Sequence, residues 1–239
     1  MDKHHYRFFV DPDSLTGEKF SSSDKELINQ IKNVFRLKIG DKITVLDNSG
    51  YEFDVVLEKI DNTILNGKIV EKKKREESGL KINLFCSLLK KGNFELVLQK
   101  CTELGVFSIT PVIYRNTVVK KTEGKERWGK IIKEASEQCG RTVLPVLNQP
   151  TDLGKVPSSV VGGLNLVADE RLNIKIGDLQ SRFKGSSVIN LFVGPEGSFT
   201  DEERKLMKES GFLTFSLGNN ILRSETAAII GVGLLVNLL

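Results

Sequence analysis

The chain has 239 residues, of which 39% are hydrophobic and 28% are charged, and its formal net charge is +4. This is too long for one small core and enough for two modest domains or one large one, and the composition is ordinary for a soluble globular protein. A mild positive balance permits a polyanionic partner without requiring one, so total charge alone does not identify the partner.

A strand-rich region comes first in the chain. Alternating apolar and polar residues over 42–46 and 51–60, on either side of an Asp-Asn-Ser-Gly turn, predict a β-hairpin, and residues 63–70 predict a further strand. A short helix is predicted over residues 24–34, with Ser23 as its N-cap, because a serine hydroxyl accepts hydrogen bonds from the free N–H groups of a first helical turn.

A highly charged run over residues 71–79 follows these strands and ends in Ser-Gly. Its composition predicts a linker between two domains. We therefore expect a small β-barrel over residues 1–72 and a second domain over residues 79–239.

The second region alternates strands with helices. Strands are predicted over residues 82–88, 108–113, 165–168, 189–193 and 213–217. Helices are predicted over residues 94–104, 125–139, 200–210 and 224–239, and Thr200 with Glu203 predicts a capping box for the helix that begins there. This alternation predicts an α/β domain built on a mostly parallel sheet.

The positive charge is concentrated in this second region. Residues 1–78 hold 14 Lys and Arg against 15 Asp and Glu, whereas residues 79–239 hold 21 against 16. A candidate phosphate-facing surface lies over residues 112–145, where the basic residues are Arg115, Lys120, Lys121, Lys125, Arg127, Lys130, Lys133 and Arg141. A solvated helix face explains the same charges, so both interpretations stay open.

The cysteines and the apolar runs argue against several kinds of site and location. The cysteines are scattered at Cys86, Cys101 and Cys139 and the histidines are adjacent near the start, so no metal site is expected. The longest apolar run, 227–239, is too short for a membrane span, and the first residues lack the apolar core of a signal peptide. We expect a cytoplasmic protein with reduced thiols and no membrane partner.

A first candidate site follows the predicted strand 189–193, where Gly194-Pro195-Glu196-Gly197 leads into a capped helix. Ligands of open α/β sheets bind beyond the carboxyl ends of strands, and glycines there let the backbone approach a ligand closely. An ordinary strand-to-helix turn has the same pattern, so this motif alone does not decide between the two.

A second candidate site follows the predicted strand 213–217, where a loop containing glycine leads into the last helix. Capping by Ser224, with Glu225 favouring the helix dipole, explains two of the polar residues at this helix start. It does not explain Arg223, because the positive end of a helix dipole disfavours a cation. We infer that Arg223 meets an anion, either a phosphate or Glu225.

Three common catalytic motifs do not occur in the sequence. There is no Walker A phosphate loop and no Gly-x-Gly-x-x-Gly after a strand, which argues against ATP-driven phosphoryl transfer and against dinucleotide binding. There is no Gly-x-Ser-x-Gly nucleophile elbow either. The spacing of residues therefore predicts a ligand site made by two strand-end loops and goes no further.

At these loops the sequence resembles the RsmE family of 16S ribosomal RNA uridine-N3 methyltransferases, within the SPOUT (trefoil-knotted) superfamily. The resemblance spans nearly the whole chain, and its blocks keep the order of the family. These blocks are residues 35–41, residues 99–106 with 109–111, residues 134–141, residues 194–197 and residues 217–227.

The resemblance implies a fold, a cofactor and partners. The fold is an N-terminal PUA-like β-barrel that contacts RNA, followed by an α/β domain whose chain threads a loop to form a trefoil knot. The loops of the knot hold S-adenosyl-L-methionine, and the protein is a homodimer with each active site near the subunit interface. The substrate is N3 of a uridine in 16S ribosomal RNA, within the small ribosomal subunit.

The motifs and the resemblance together predict the site residues. Arg223 is expected to stabilise the uridine anion or a phosphate, and Glu225 to orient Arg223 or to act as the base. Cofactor-binding residues are expected at Gly194, Pro195, Glu196, Gly197, Leu217, Gly218, Leu222 and Thr226. RNA contacts are expected at Arg7, Arg36, Arg115 and Arg141.

Three positions depart from the usual pattern of the family: Gln30 replaces a His, Asn220 replaces an Arg and Ser198 replaces a second Gly. Ser198 is small, so the loop should persist, and methyltransferase activity is still expected. Two alternatives are a SPOUT enzyme that methylates a ribose 2′-hydroxyl and a non-enzymatic RNA-binding assembly protein. The order of the blocks and the barrel argue against the first alternative, and the intact cofactor loops argue against the second.

Overall fold

The computed structural model divides the chain into two compact units. Residues 6–75, 79–119, 125–156, 162–171, 174, 177 and 186–238 are described. The first unit comprises Met1–Glu77 and Ser136–Leu144, and the second comprises Ser78–Ala135 and Pro145–Leu239. Part of the predicted linker, residues 76–78, lies outside the described residues.

The first unit is built on a mixed sheet. Its described strands are β1 (Arg7–Phe9), β2 (Leu15–Thr16), β3 (Lys19–Ser22), β4 (Lys42–Leu46), β5 (Tyr51–Ile60) and β6 (Leu65–Lys74), in the spatial order β1-β4-β5-β6-β3-β2. β1 and β4 are parallel, and the other neighbours are antiparallel. One face of the sheet packs with helix α1 (Lys25–Asn29) around buried apolar side chains, among them Phe20, Ile31 and Val55.

The predicted linker is wrong over residues 71–74, which continue β6 opposite the start of β5. The lysines there contact side chains of β5 and of β6 itself. The Lys72 ammonium lies over the rings of Tyr51 and Phe53, 4.3 and 5.2 Å from their centroids, and Lys73 Nζ lies 2.7 Å from a Glu71 carboxylate oxygen. Lysines that cover aromatic rings and pair with carboxylates can occupy a strand.

The predicted cap of the first helix is also wrong by one residue. Asp24, and not Ser23, is the N-cap, because the Asp24 carboxylate accepts hydrogen bonds from the N–H groups of Glu26 and Leu27. The helix then widens into a π-helical turn over Gln30–Val34. The chain leaves this turn through Arg36, which has a φ of 54°.

Residues 136–144 also belong to the first unit and are fastened to its strands and turns. The Phe9 N–H donates to Glu137 Oε1 at 2.8 Å, and the Leu144 N–H donates to Asn48 Oδ1 at 2.7 Å. Arg75 Nη1 donates to the Gly140 carbonyl at 2.9 Å. A segment distant in sequence therefore completes this unit.

The second unit is the predicted α/β domain. Its described strands are β7 (Lys81–Ser87), β8 (Ser108–Ile113), β9 (Val146–Leu147), β10 (Thr151–Asp152), β11 (Leu164–Ala168), β12 (Val188–Val193) and β13 (Leu213–Phe215). They pair only in parallel, in the order β10-β8-β7-β12-β11-β13 with β9 beside β8, which confirms the parallel sheet for the described residues.

The described helices of this unit are α2 (Lys91–Glu103), α3 (Lys125–Cys139), α4 (Asp201–Glu209) and α5 (Ser224–Leu238). The predicted capping box of α4 is present, with Thr200 and Glu203 exchanging hydrogen bonds between side chain and backbone. α5 packs against α2 and against β7 and β12, which accounts for its apolar sequence. No described helix combines the length and the apolar character that a membrane crossing requires.

A ladder of polar side chains crosses the centre of the parallel sheet. Ser108 Oγ donates to Asn83 Oδ1 at 2.6 Å, and Asn83 Nδ2 donates to Asn190 Oδ1 at 2.9 Å. Asn190 Nδ2 then donates to Asn165 Oδ1 at 2.9 Å. The residues stand directly opposite one another on β8, β7, β12 and β11, and Asn190 is fully buried. A slip of one residue would break the ladder, so it fixes the register of four strands.

We expect Asn190→Leu to lower the free energy of unfolding by about 1–3 kcal/mol, because it leaves the amide group of the half-buried Asn83 and the side-chain carbonyl of the buried Asn165 without these partners. Ser108→Ala, at the end of the ladder, removes one donor and should have a smaller effect. Urea denaturation followed by circular dichroism measures both. A loss for Asn190→Leu no larger than that for Ser108→Ala would contradict a role of the ladder in register.

Candidate functional site

The strand ends of the second unit gather the candidate site. Because the strands are parallel, their carboxyl ends meet at one edge of the sheet, where ligands of open α/β sheets bind. The loops after β11, β12 and β13 leave from this edge. The two candidate loops identified in the sequence, residues 194–200 and 216–223, are therefore on the same side of the domain.

A cavity of about 390 Å³ lies between these two loops. Its described lining residues come from α2, from the three loops and from the start of α5: Asn93, Glu170, Pro195, Glu196, Ser198, Ile221, Leu222, Arg223, Ser224 and Glu225. The volume falls in the range of small-molecule sites, which is roughly 300–1,000 Å³. Both sequence motifs thus contribute to one cavity.

The predicted cofactor-binding residues divide into two groups. Pro195, Glu196 and Leu222 line the cavity, as do the predicted catalytic residues Arg223 and Glu225. The others lie in the same loops or in the first turn of α5 and are not among its lining residues: Gly194, Gly197, Leu217, Gly218 and Thr226.

The first two of these glycines are required by packing inside the protein. A Cβ atom at Gly194 would lie 2.8 Å from the Phe199 ring, and one at Gly197 would lie 3.0 Å from Asn116 Cβ. Asn116 Nδ2 donates to the carbonyls of Gly197 and Ser198, each at 3.0 Å. The loop packs on itself and on the loop after β8, so close packing within the protein already explains why glycine stands at these positions.

Gly218 differs from the other two. Its φ of 149° lies in a region that favours glycine, and no atom lies within 4 Å of the position that its Cβ would take. Ser216 Oγ donates to the Gly218 carbonyl at 2.7 Å and holds the turn. The backbone at Gly218 is therefore open to a ligand on the side where a side chain would stand.

Arg223 occupies the N-cap position of α5, because its carbonyl accepts the Ala227 N–H at 2.8 Å. Ser224 is therefore the first helical residue and not the cap. The Arg223 side chain is exposed, and the described structure forms no ion pair between Arg223 and Glu225. Glu225 is therefore not the anion that Arg223 contacts in the described structure. The other anion that the sequence suggested is a phosphate.

Glu225 is buried at the start of α5. It is 7% exposed, and its Oε2 atom has no hydrogen-bond partner in the described part of the chain. Burial, together with the nearby charge of Glu225, raises the pKa of the Cys86 thiol to about 12. Glu225 is also a lining residue of the cavity, and a buried carboxylate oxygen without a donor among the described residues is a feature that packing alone does not explain.

A network of charged side chains beside the cavity was not predicted. Arg204 on α4 makes two hydrogen bonds to the Asp169 carboxylate, at 2.6 and 3.2 Å, and donates to Ser198 Oγ at 2.7 Å and to the Phe199 carbonyl. Ser198 Oγ donates to Glu170 Oε1 at 2.6 Å. Asp169 and Glu170 directly follow β11. The other two loops were predicted as ligand sites because they follow the carboxyl ends of strands, and the same reasoning applies to these two residues.

The structure explains one of the three departures from the family pattern, the serine at position 198. Its φ is 60°, in the left-handed region that favours glycine. The hydrogen bonds to Arg204 and Glu170 occupy its side chain in this conformation. The position tolerates serine here because neighbouring residues bind its hydroxyl group.

Three of the four predicted RNA contacts lie in the first unit. Arg7 is half-buried, with its Nε 3.6 Å from Glu52 Oε1, and Arg141 Nε donates to the Val143 carbonyl at 3.2 Å. Arg36 is exposed and follows the π-helical turn. The structure thus gives Arg7 and Arg141 contacts within the protein, while the Arg36 side chain faces solvent.

The fourth predicted RNA contact, Arg115, lies in the second unit in the loop after β8. Its side chain is exposed, and its backbone N–H donates to Glu203 Oε1 at 2.8 Å. Three charged residues of the candidate phosphate-facing stretch, Lys120, Lys121 and Glu123, lie outside the described residues, as does the side chain of Lys125.

Comparison with known proteins identifies relatives for both regions. Residues 76–236 match the family described as RNA methyltransferase domain, and residues 24–70 match the family described as RNA methyltransferase PUA domain. The chain is 33% identical to the ribosomal RNA small subunit methyltransferase E of Synechocystis, an alignment that covers 95% of this chain and 76% of that protein.

Solved structures agree with this similarity. A crystal structure of a ribosomal RNA small subunit methyltransferase E from Neisseria gonorrhoeae bound to S-adenosyl methionine has a TM-score of 0.87 and 29% identity, covering 98% of each chain. A putative methyltransferase from Legionella pneumophila, in complex with the bound cofactor SAM, has a TM-score of 0.85 and 32% identity, covering 98% of this chain and 97% of that one.

We expect the Asp169–Arg204 pair to make stability depend on pH. Burial raises the pKa of Asp169, but the hydrogen bonds from Arg204 and from the Arg171 N–H outweigh it, so the pKa in the folded protein is lowered. A lowered pKa adds stability above the unfolded value of about 4, and this stability is lost as the pH falls through the folded value.

The difference in unfolding free energy between the wild type and Asp169→Asn should therefore be largest near neutral pH and should shrink as the pH falls below about 4. Urea denaturation across this range measures the difference. Asp201→Asn is the matched control, because the Asp201 side chain is 82% exposed. A difference that stayed constant with pH would show that ionised Asp169 does not stabilise the fold.

Proposed function

The chain belongs to the RNA methyltransferase domain family, and we propose that it transfers a methyl group from S-adenosylmethionine to 16S ribosomal RNA of the small ribosomal subunit. The observation that carries the proposal is the cavity between the loops after β12 and β13, at the carboxyl edge of the parallel sheet. Relatives named as ribosomal RNA small subunit methyltransferase E support the class of substrate.

The residues of the cavity fit this cofactor. Charged lining residues are Glu170, Glu196, Glu225 and Arg223, so the cavity has an excess of negative charge that suits a positively charged ligand. The open backbone at Gly218 and the side chains of Pro195 and Leu222 would hold it, with the remaining residues of both loops supporting them. The cofactor supplies an activated methyl group on a positively charged sulfur when bound.

We propose N3 of a uridine as the methylated atom, on the resemblance of the sequence blocks. This atom carries a weakly acidic proton that must leave, so the tasks of the protein are to position the base and to stabilise negative charge. Arg223, which is exposed and lines the cavity, is proposed to stabilise the uracil anion or a neighbouring phosphate. Glu225, which also lines the cavity, is the candidate acceptor for the proton.

The first region is proposed to bind RNA. The match to a PUA domain over residues 24–70 supports the predicted PUA-like barrel over residues 1–72, which the end of β6 and residues 136–144 extend. The catalytic domain is proposed over the rest of residues 79–239. RNA contacts are proposed at Arg7, Arg36, Arg115 and Arg141. N3 lies on the Watson–Crick edge of uracil, so a paired target base must be drawn out of its helix before reaction.

Further features of the SPOUT superfamily are proposed from the resemblance. They are a trefoil knot, a homodimer and a cytoplasmic location. The strand order supports the knot, because β12 lies between β7 and β11, two strands that both come earlier in the chain. Exposed apolar side chains on α5, Ile230 at 43% and Val236 at 40%, support a subunit interface on that helix.

Transfer of a labelled methyl group tests the proposal. When purified protein is incubated with labelled S-adenosylmethionine and small ribosomal subunits, the 16S RNA should become labelled. The label should be found on a base after the RNA is hydrolysed. Label on ribose would favour methylation of a 2′-hydroxyl, and an absence of label with RNA binding intact would favour an assembly protein. Either result would overturn the proposed reaction.

Arg223→Ala should lower the single-turnover rate of methylation on the order of a hundredfold, because an interaction made mainly in the transition state is lost. The affinity for S-adenosylmethionine, measured by calorimetry, should stay near that of the wild type. Arg223→Lys should recover only part of the rate, since an ammonium group lacks the planar fork of a guanidinium group. A wild-type rate in Arg223→Ala would refute the catalytic role, and a collapse of cofactor binding would make Arg223 a cofactor-loop residue.

Arg36→Ala should weaken binding to 16S RNA and should reduce the slope of log affinity against log salt by about one counterion unit. A φ of 54° costs alanine about the same backbone strain as arginine, so the substitution should leave the local fold unchanged. Arg36→Lys, which keeps the charge, is the control and should retain the salt slope. Affinity and slope that matched the wild type in Arg36→Ala would leave Arg36 without a role in RNA binding.

A further inference from the structure

A directed chain of hydrogen bonds ends on a carboxylate at the cavity. Arg204 Nη2 donates to Ser198 Oγ at 2.7 Å, and Ser198 Oγ donates to Glu170 Oε1 at 2.6 Å. A guanidinium group only donates hydrogen bonds and an ionised carboxylate only accepts them, so the direction of the Ser198 hydroxyl proton is fixed. Both Ser198 and Glu170 line the cavity.

The charge of Arg204 is already matched by another residue. Its two hydrogen bonds to Asp169 are 2.6 and 3.2 Å long, and the Asp169 side chain is only 4% exposed. Glu170 Oε1 lies farther from Arg204 Nη2, at 3.6 Å, and 34% of the Glu170 side chain is exposed. Glu170 therefore keeps its own negative charge available to a group that enters the cavity, while Arg204 and Ser198 set its position.

We infer that Glu170 is a cofactor-binding carboxylate that receives a positively charged group of S-adenosylmethionine, and that Arg204 and Ser198 are its positioning residues. The inference rests on the proposed function. The positively charged groups of this cofactor are the sulfonium and the α-ammonium group. The backbone of Ser198 has a φ of 60°, and in this conformation its hydroxyl group joins Arg204 to Glu170.

Calorimetric titration of the full chain with S-adenosylmethionine tests the inference. Glu170→Gln keeps the shape of the side chain and removes its charge, and it should weaken binding on the order of tenfold or more. Ser198→Ala cuts the chain and leaves the Arg204–Asp169 pair in place, so it should weaken binding by a smaller factor. Glu202→Gln, an exposed position on α4 outside the cavity lining, is the control for loss of one negative charge and should bind as the wild type does.

The double variant Ser198→Ala with Glu170→Gln separates positioning from general loss of structure. If Ser198 acts through Glu170, the double variant should bind no more weakly than Glu170→Gln alone, whereas independent effects would multiply. The melting temperature of each variant without ligand reports folding, and Ser198→Gly replaces Ser198→Ala if the latter does not fold. Multiplying losses, or binding within about twofold of the wild type in Glu170→Gln, would overturn the inference.

S-adenosylhomocysteine lacks the sulfonium charge but keeps the ammonium group, so it identifies which group Glu170 receives. A loss confined to S-adenosylmethionine assigns Glu170 to the sulfonium, and an equal loss for both assigns it to the ammonium. Each of these results supports the inference. Failure of the wild-type protein to bind either compound would instead refute the proposed function, so the two failures are distinguishable.

Discussion

The register of the parallel sheet is the constraint on which the site depends. The amide ladder through Asn83, Asn190 and Asn165 joins three adjacent strands, and Ser108 extends it to a fourth. Since side chains alternate between the faces of a strand, a slip of one residue would turn these polar groups into apolar surroundings. With this register fixed, the carboxyl ends of β11 and β12 are set relative to each other. Their loops meet the loop after β13, which pairs with β11, around one cavity.

The two loops that form most of this cavity are held in different ways. The loop after β12 is fixed from outside by Asn116, by Arg204 and by the capping box of α4. In the loop after β13 the described side-chain bonds are those of Ser216 to Gly218, and Ile221 is 83% exposed. The loop after β12, whose Ser198 also binds Glu170, is therefore held by more side-chain hydrogen bonds than the loop that carries Arg223. This division suits a site that must hold a small cofactor and also admit a much larger RNA substrate.

The sequence predicted the parallel sheet and both loops because those depend on local patterns. Buried strands read as apolar runs, and the capping box at Thr200 is a local signal. The linker prediction was wrong over residues 71–74 because composition does not reveal that Lys72 covers the rings of Tyr51 and Phe53. Asp169 and Glu170 directly follow a strand, so their position could have been noticed in the sequence. Their link to Arg204 could not, because Arg204 is 35 residues from Asp169 and no local pattern records such a contact. Gly194 and Gly197 were selected for ligand approach, but their neighbours Phe199 and Asn116 give them a reason within the protein.

The most direct measurement is mass spectrometry of nucleosides and nuclease fragments of 16S RNA from cells with and without this protein. We expect one N3-methyluridine that is present in the first sample, missing from the second and restored by purified protein with S-adenosylmethionine. Arg223 and Glu225 would then act at an atom whose proton must leave, as their places at the cavity imply. A methyl group that mapped instead to a ribose hydroxyl, or 16S RNA whose modifications were identical in the two samples, would contradict the proposed reaction.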